Sequence, residues 1–178
     1  VGLSKFPFSV LYSLSDILHF FIFTIVGYRK KVILNNIKNA FPEKSGKEHH
    51  RIANAFSRFF VDVVVESVKC FSITKEQLQE RMRVTFSPEY EQCVKEGRNA
   101  IVILGHQGNW EYAQLAFSAE PNRQEFLGVY KAIKNPAVSD VMLKSRAQFG
   151  TVLIETKEFK DGLGKYVKQN IPVVLGLM

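Results

Sequence analysis

From Arg83 onward, short apolar runs alternate with segments of helical pattern, and this alternation limits the possible folds more than any other feature. The runs lie at Val84–Phe86, Ile101–Leu104, Phe126–Tyr130, Val152–Ile154 and Pro172–Leu177. Helices are predicted to begin at Pro88 and Pro136 and to end before Gly97 and Gly150. The alternation predicts an α/β fold.

The segment 100–111 places a histidine at the end of a strand. The run Ile101–Leu104 fits a buried strand, the glycines that follow break it, and Asn109 can cap a helix that carries Glu111 in its first turn. Ligands of such folds collect beyond the carboxyl ends of the strands. His106 lies in the break and is therefore a candidate site residue.

The five-residue step between His106 and Glu111 also has chemical meaning. Two helical residues five apart point to different faces, but a histidine in the loop can meet a carboxylate in the first helical turn. That hydrogen bond would fix the imidazole tautomer and free the other nitrogen to act as a general base. In the alternative interpretation, Glu111 only complements the helix dipole and His106 is an ordinary loop residue.

The motif His106-Gln-Gly-Asn-Trp-Glu111 resembles the H-x4-D/E motif of glycerolipid acyltransferases. In its surroundings the chain most resembles the bacterial lipid A late acyltransferase family, over nearly its whole length. The other matching segments, in order, are Tyr28–Lys31, Asn35-Asn36, Ala40–Glu43, Val129–Lys131, Asn135-Pro136 and Ser145-Arg146. Lys131 stands where the family usually has arginine.

This resemblance implies an α/β fold like that of glycerolipid acyltransferases, with a central mixed sheet flanked by helices. It also implies an O-acyltransferase that needs no cofactor. The donor would be an acyl thioester of acyl carrier protein or coenzyme A, and the acceptor a hydroxyl of a lipid A precursor or related lipid. His106 would be the general base, Glu111 its orienting carboxylate, and Arg146 a contact for an anion or the transition state. Substrate-binding candidates are Lys131, Asn135 and Asn109, although Asn135 also suits the start of the Asn-Pro turn.

Composition and charge agree with a globular chain that meets anionic lipid. Hydrophobic residues make up 46% of the sequence, which argues against disorder, and the net charge of +7 favours an anionic partner. No nucleic-acid-binding motif is apparent. The two cysteines form no disulfide framework and favour a reduced compartment. The histidine spacing lacks the H-E-x-x-H pattern, so no metal is predicted.

The N-terminal segment predicts membrane attachment. Phe6–Val26 is about long enough to cross a bilayer, but Asp16 and His19 lie in its middle and favour an interfacial helix; they are three apart and could pair. A buried helix of a soluble domain is the alternative. The predicted domains are residues 1–27, an apolar membrane helix, and residues 28–178, the α/β domain. Arg29–Lys31 would face the cytoplasmic side of the bacterial inner membrane.

The ends of the chain suggest a piece of a longer protein. Val1 is not an initiator methionine, and Met178 ends the chain directly after an apolar run. Two rival functions remain. One is a lipid hydrolase, although no G-x-S-x-G elbow appears. The other is a non-enzymatic basic module that binds membranes.

Overall fold

The computed structural model describes residues 2–103, 105, 107–121 and 123–177, and of Leu177 only the backbone. The chain divides into two compact units, Val1–Lys69 and Cys70–Met178. The predicted domain boundary after residue 27 lies inside the first unit. Both His106 and Leu104 lie outside the described residues.

The first unit is helical. A short 3-10 turn at Leu3–Lys5 precedes α1 (Phe8–His19), which continues as a π-helical segment at Phe20–Ile25. Two further helices follow, α2 (Lys30–Ala40) and α3 (Gly46–Lys69). Before α3, the Ser45 hydroxyl accepts from the Glu48 amide and the Glu48 carboxylate accepts from the Ser45 amide, which forms a capping box.

Helix α1 packs against α3 through one side. Leu11 is buried with Val61 and Val65 of α3. Beside this core, the Ser15 hydroxyl donates to Asp62 at 2.5 Å and His19 Nε2 bonds the Ser57 hydroxyl at 2.9 Å. The buried polar side chains Ser15 and His19 of α1 are thus satisfied by α3.

The predicted apolar N-terminal helix is confirmed. The predicted pairing of Asp16 with His19 differs from the structure, in which both side chains contact α3. Asp16 and His19 do not pair with each other among the described residues, because Arg58 of α3 contacts Asp16 at 3.4 Å and Ser57 takes His19. Phe8–Ile25 has the length and hydropathy to cross a membrane, and only 17% of this window is buried. Length and composition alone support that reading.

The second unit is the predicted α/β fold. Its helices are α4 (Lys75–Arg81), α5 (Pro88–Lys95), α6 (Trp110–Ala119), α7 (Pro136–Ala147) and α8 (Phe159–Gln169). Its strands are β1 (Ala100–Val102), β2 (Glu125–Tyr130), β3 (Val152–Glu155) and β4 (Val173–Leu177), in the order β1-β4-β2-β3. Leu127, Ile154 and Val173 form a buried core on the sheet, against which Leu163 and Tyr166 of α8 pack.

Every described strand pairing is parallel, whereas the predicted sheet was mixed. A helix follows each of β1, β2 and β3, and such crossovers return the chain in the same direction. The helix starts at Pro88, Asn109 and Pro136 are confirmed by side-chain caps from Ser87, Asn109 and Asn135.

Two predicted strands differ from the structure. Val84–Phe86 forms no strand, and Phe86 instead packs on the rings of Tyr90 and Phe117. The strand at 101–104 is shorter and lies at an edge of the described sheet, so Ile103 is 90% exposed rather than buried. Apolar runs of this length do not distinguish central strands from edge or extended segments.

Candidate active site

The loop from β1 to α6 leads directly into the candidate site. Gly108 has a φ of 64°, which a side-chain-bearing residue rarely adopts, and the next residue, Asn109, caps α6. The Asn109 carboxamide oxygen accepts a hydrogen bond from the Tyr112 amide at 3.0 Å. Asn109, predicted to bind substrate, therefore serves as a buried helix cap in the structure.

Glu111 is held by an arginine from another helix. Arg146, one residue before the end of α7, donates from Nε and Nη2 to the two Glu111 carboxylate oxygens at 3.0 and 2.6 Å. The side chains are only 11% (Glu111) and 18% (Arg146) exposed. A two-pronged guanidinium–carboxylate pair fixes both groups in position and in plane.

A buried polar network supports this ion pair from behind. The Gln114 amide, one turn after Glu111, donates to the Arg146 carbonyl at 3.1 Å and to the Thr151 hydroxyl at 2.5 Å. The Ser118 hydroxyl bonds Thr151 at 2.5 Å. These bonds connect α6 to the end of α7 and to Thr151, the residue directly before β3.

An apolar cavity of about 400 Å³ opens beside Glu111 and Arg146. It lies at the carboxyl ends of β1 and β4. Its lining combines the segment after α4, the β1–α6 loop, one side of α6, the end of α7 and the sheet. The lining residues are Met82, Arg83, Val84, Thr85, Val102, Gly105, Trp110, Glu111, Ala113, Gln114, Phe117, Phe126, Arg146 and Gly176. An apolar pocket with a few convergent polar groups is the usual form of a small-molecule site.

The predicted site residues are only partly brought together. Glu111 and Arg146 meet at the cavity, and Gly105 of the histidine loop lines it. Lys131, which follows β2, is exposed, and Asn135 caps α7 by accepting from the Ala137 and Val138 amides. Neither is among the described residues that line the cavity. His106 lies outside the described residues, so its distance to Glu111 stays a prediction.

Sequence reasoning missed Gln114, the 82–85 segment and the contact between Gly176 and Phe126. Gln114 and Ser118 were recognisable as two polar residues one turn apart on a helix that is otherwise apolar after Glu111. Gly176 gave no such signal. A Cβ at this position would lie 2.7 Å from the Phe126 ring, so the glycine leaves room for a side chain of the cavity wall.

The described residues contain no group of three histidine, cysteine or acidic side chains that could hold a metal ion. The fold and the site therefore define an α/β protein with a buried acid–arginine pair on an apolar pocket. Within that class, the chain belongs to the family described as bacterial lipid A biosynthesis acyltransferase, which its sequence matches over residues 1–176. No curated protein matches the chain significantly. This match confirms the predicted resemblance, and it supports lipid acyltransferase activity in general.

Proposed function

We propose that the protein is a membrane-associated O-acyltransferase. It moves a fatty acyl chain from an acyl carrier protein or coenzyme A thioester to a hydroxyl of a lipid A precursor or related lipid. The observation that carries this proposal is the fixed Glu111 carboxylate on the wall of an apolar cavity, five residues after His106. The cavity can shield an alkyl chain from water while the polar wall meets the reacting ester.

In this mechanism His106 is the general base. It takes the proton of the acceptor hydroxyl as the oxygen attacks the thioester carbonyl. The C–O bond forms and the C–S bond breaks, and the proton passes to the departing thiolate, so neither a cofactor nor a metal is needed. Glu111 accepts a hydrogen bond from the other imidazole nitrogen and balances the imidazolium charge.

Arg146 acts in this proposal mainly through Glu111. Its Nε and Nη2 are taken by the carboxylate, and no described residue accepts a hydrogen bond from Nη1. Arg146 is therefore a positioning residue that keeps Glu111 aimed at the loop, with Nη1 left for an anion such as the developing oxyanion. Lys131 and Asn135 follow β2 at the carboxyl edge of the sheet and are proposed to contact an anionic head group or donor phosphate.

The membrane association is proposed for the first unit. The exposed residues of α1 and its π-helical extension include the large apolar side chains Ile17, Phe20 and Phe21, while the buried Ser15 and His19 bond α3. This arrangement favours a helix that lies in the interface with its partner over a lone span. The basic residues Arg29–Lys31 then meet anionic lipid at the cytoplasmic face of the inner membrane.

The test is acyl transfer by the full-length protein, with product lipid and free fatty acid measured separately. His106→Ala is expected to lower turnover by about two to four orders of magnitude. The exposed His50→Ala is the matched control and should keep its rate. Near-normal transfer by His106→Ala would remove the base from the mechanism. Release of fatty acid without acylated lipid would favour a hydrolase, and absence of both would favour the membrane-binding module.

A further inference from the structure

The first unit contains an apolar depression of its own, separate from the cavity beside Glu111, and we call it the α2–α3 groove. It has a volume of about 380 Å³ and is lined mainly by apolar and aromatic side chains. Among these are Phe23, Val32, Ile33, Phe56 and Phe60. The volume lies in the range of pockets that bind small molecules.

The walls of the α2–α3 groove are open to water. Val32 is 44%, Phe56 45% and Phe60 40% exposed, and the two phenylalanine rings stack with centroids 6.2 Å apart. A contiguous exposed patch of this kind marks a binding surface, because leaving it in water is unfavourable.

The rim of the α2–α3 groove carries one cation among the described lining residues, Arg29. The exposed Lys30 and Lys31 are its neighbours in sequence, and Lys30 lines an adjacent depression. No described carboxylate forms an ion pair with any of these three residues, and no carboxylate is among the described lining residues. The first turn of α2 also contains no acidic residue. An apolar floor with an arginine at its rim, beside two further lysines in the sequence, matches a molecule with an alkyl chain and a negative head.

We propose that the α2–α3 groove binds one acyl chain of an anionic membrane phospholipid, with the lipid phosphate at Arg29. The proposal deepens the anionic-membrane partner named under Proposed function and rests on it. It differs from general attraction to a charged surface because it specifies one saturable site. A second copy of this chain fits less well, because its own net charge of +7 would meet the cationic rim.

The test uses the full-length protein and a soluble probe, dihexanoyl phosphatidylglycerol below its micelle concentration, with binding followed by calorimetry. Because the probe is monomeric, binding cannot come from adsorption to a bilayer. We expect saturable binding, and about fivefold weaker binding of dihexanoyl phosphatidylcholine, whose head group carries no net charge.

Two matched pairs of variants locate the site. Ala40→Phe fills the α2–α3 groove and should abolish saturable binding, whereas Ala55→Phe, the same change at an exposed alanine of α3 outside the groove, should not. Arg29→Gln should weaken binding of the phosphatidylglycerol probe about fivefold. Lys38→Gln, an equal charge change elsewhere on α2, should alter binding by less than about twofold.

The proposal is overturned if the probe does not saturate, if both members of each pair respond alike, or if phosphatidylcholine binds equally well. It is also overturned if Ala40→Phe leaves probe binding intact but raises the Michaelis constant for the acceptor lipid, since the groove would then belong to the substrate. Acyl transfer by the same variants in detergent separates the two proposals. Loss of probe binding with normal transfer leaves the proposed enzymatic function standing.

Discussion

Arg146 donates two hydrogen bonds to Glu111, from Nε at 3.0 Å and from Nη2 at 2.6 Å, across 35 positions of sequence. Both side chains are largely buried. The arginine was predicted to contact an anion or the transition state directly. The pairing adds a second role, because the carboxylate that we propose to orient His106 is itself held in one plane.

Removing the arginine should affect both stability and rate. Arg146→Ala leaves the Glu111 carboxylate buried without its partner, so we expect the free energy of unfolding to fall by about 2 kcal/mol. Turnover should fall by up to about 100-fold, because Glu111 loses its orientation. Arg146→Lys should restore only part of the rate, since lysine keeps the charge without the planar fork.

Steady-state kinetics and chemical denaturation of the same variants separate these effects. The expected signature is a lower turnover number with little change in the Michaelis constants, measured where each variant is fully folded. An effect on the Michaelis constants alone would assign Arg146 to ground-state binding. Unchanged kinetics would remove it from the site.

Gln114 should contribute to the stability of the protein, because it ties the backbone of Arg146 to Thr151. Gln114→Ala removes donors to the Arg146 carbonyl and the Thr151 hydroxyl, and we expect a loss of about 1–3 kcal/mol in unfolding free energy. Gln92→Ala is the control, since Gln92 is exposed and bonds only Glu96 among the described residues; its effect should stay within about 0.5 kcal/mol. Equal effects of the two variants in urea denaturation would contradict a supporting role for the network.

Local sequence patterns predicted the helices that carry the site residues, but not which of these residues contact each other. Asn109 was predicted as a cap because capping depends on residues two or three positions apart, whereas Asn135 was predicted only to bind substrate or to start the Asn-Pro turn. The Glu111–Arg146 pair depends on how α6 packs against α7, which no local pattern encodes. The apolar run at 84–86 shows the same limit, because strand formation there would need a neighbouring strand that the described part of the chain does not supply.

Two glycines of α8 should respond oppositely to alanine. A Cβ at Gly162 would lie 2.8 Å from Cγ2 of Ile154, a buried core residue, so Gly162→Ala should destabilise the protein by about 1–3 kcal/mol. Gly164 has no atom within 4 Å of such a Cβ, so Gly164→Ala should stabilise the helix by up to about 1 kcal/mol. Thermal unfolding of both variants checks this, and a stabilised Gly162→Ala would show that α8 lies farther from β3.

The start of α3 should loosen in acid. Hydrogen bonds from the Ser45 amide and hydroxyl lower the pKa of the Glu48 carboxyl below its ordinary value. A lowered pKa stabilises the fold above the unfolded-state pKa, and this contribution is lost as the pH falls through the folded-state value. Amide exchange in the first turn of α3 should therefore accelerate, relative to pH-corrected intrinsic rates, between about pH 5 and pH 3. Glu48→Gln should abolish this pH dependence, and its persistence in that variant would assign it to another group.

The two sides of α1 should separate folding from membrane binding. Leu11 is 1% exposed in the core with Val61 and Val65, so Leu11→Ala should lower the unfolding free energy by about 2–5 kcal/mol. Ile17 is 55% exposed, so Ile17→Gln should leave stability nearly unchanged but weaken binding to vesicles of phosphatidylglycerol and phosphatidylethanolamine by about tenfold.

Deleting residues 1–27 is expected to unfold the first unit rather than simply release the protein from membranes, because the deletion removes both sides of α1 at once. The point variants avoid this ambiguity. Vesicle flotation and thermal unfolding are measured on each full-length variant. Unchanged flotation of Ile17→Gln, together with a melting temperature as low as that of Leu11→Ala, would show that the outer side of α1 is packed within the protein rather than facing lipid.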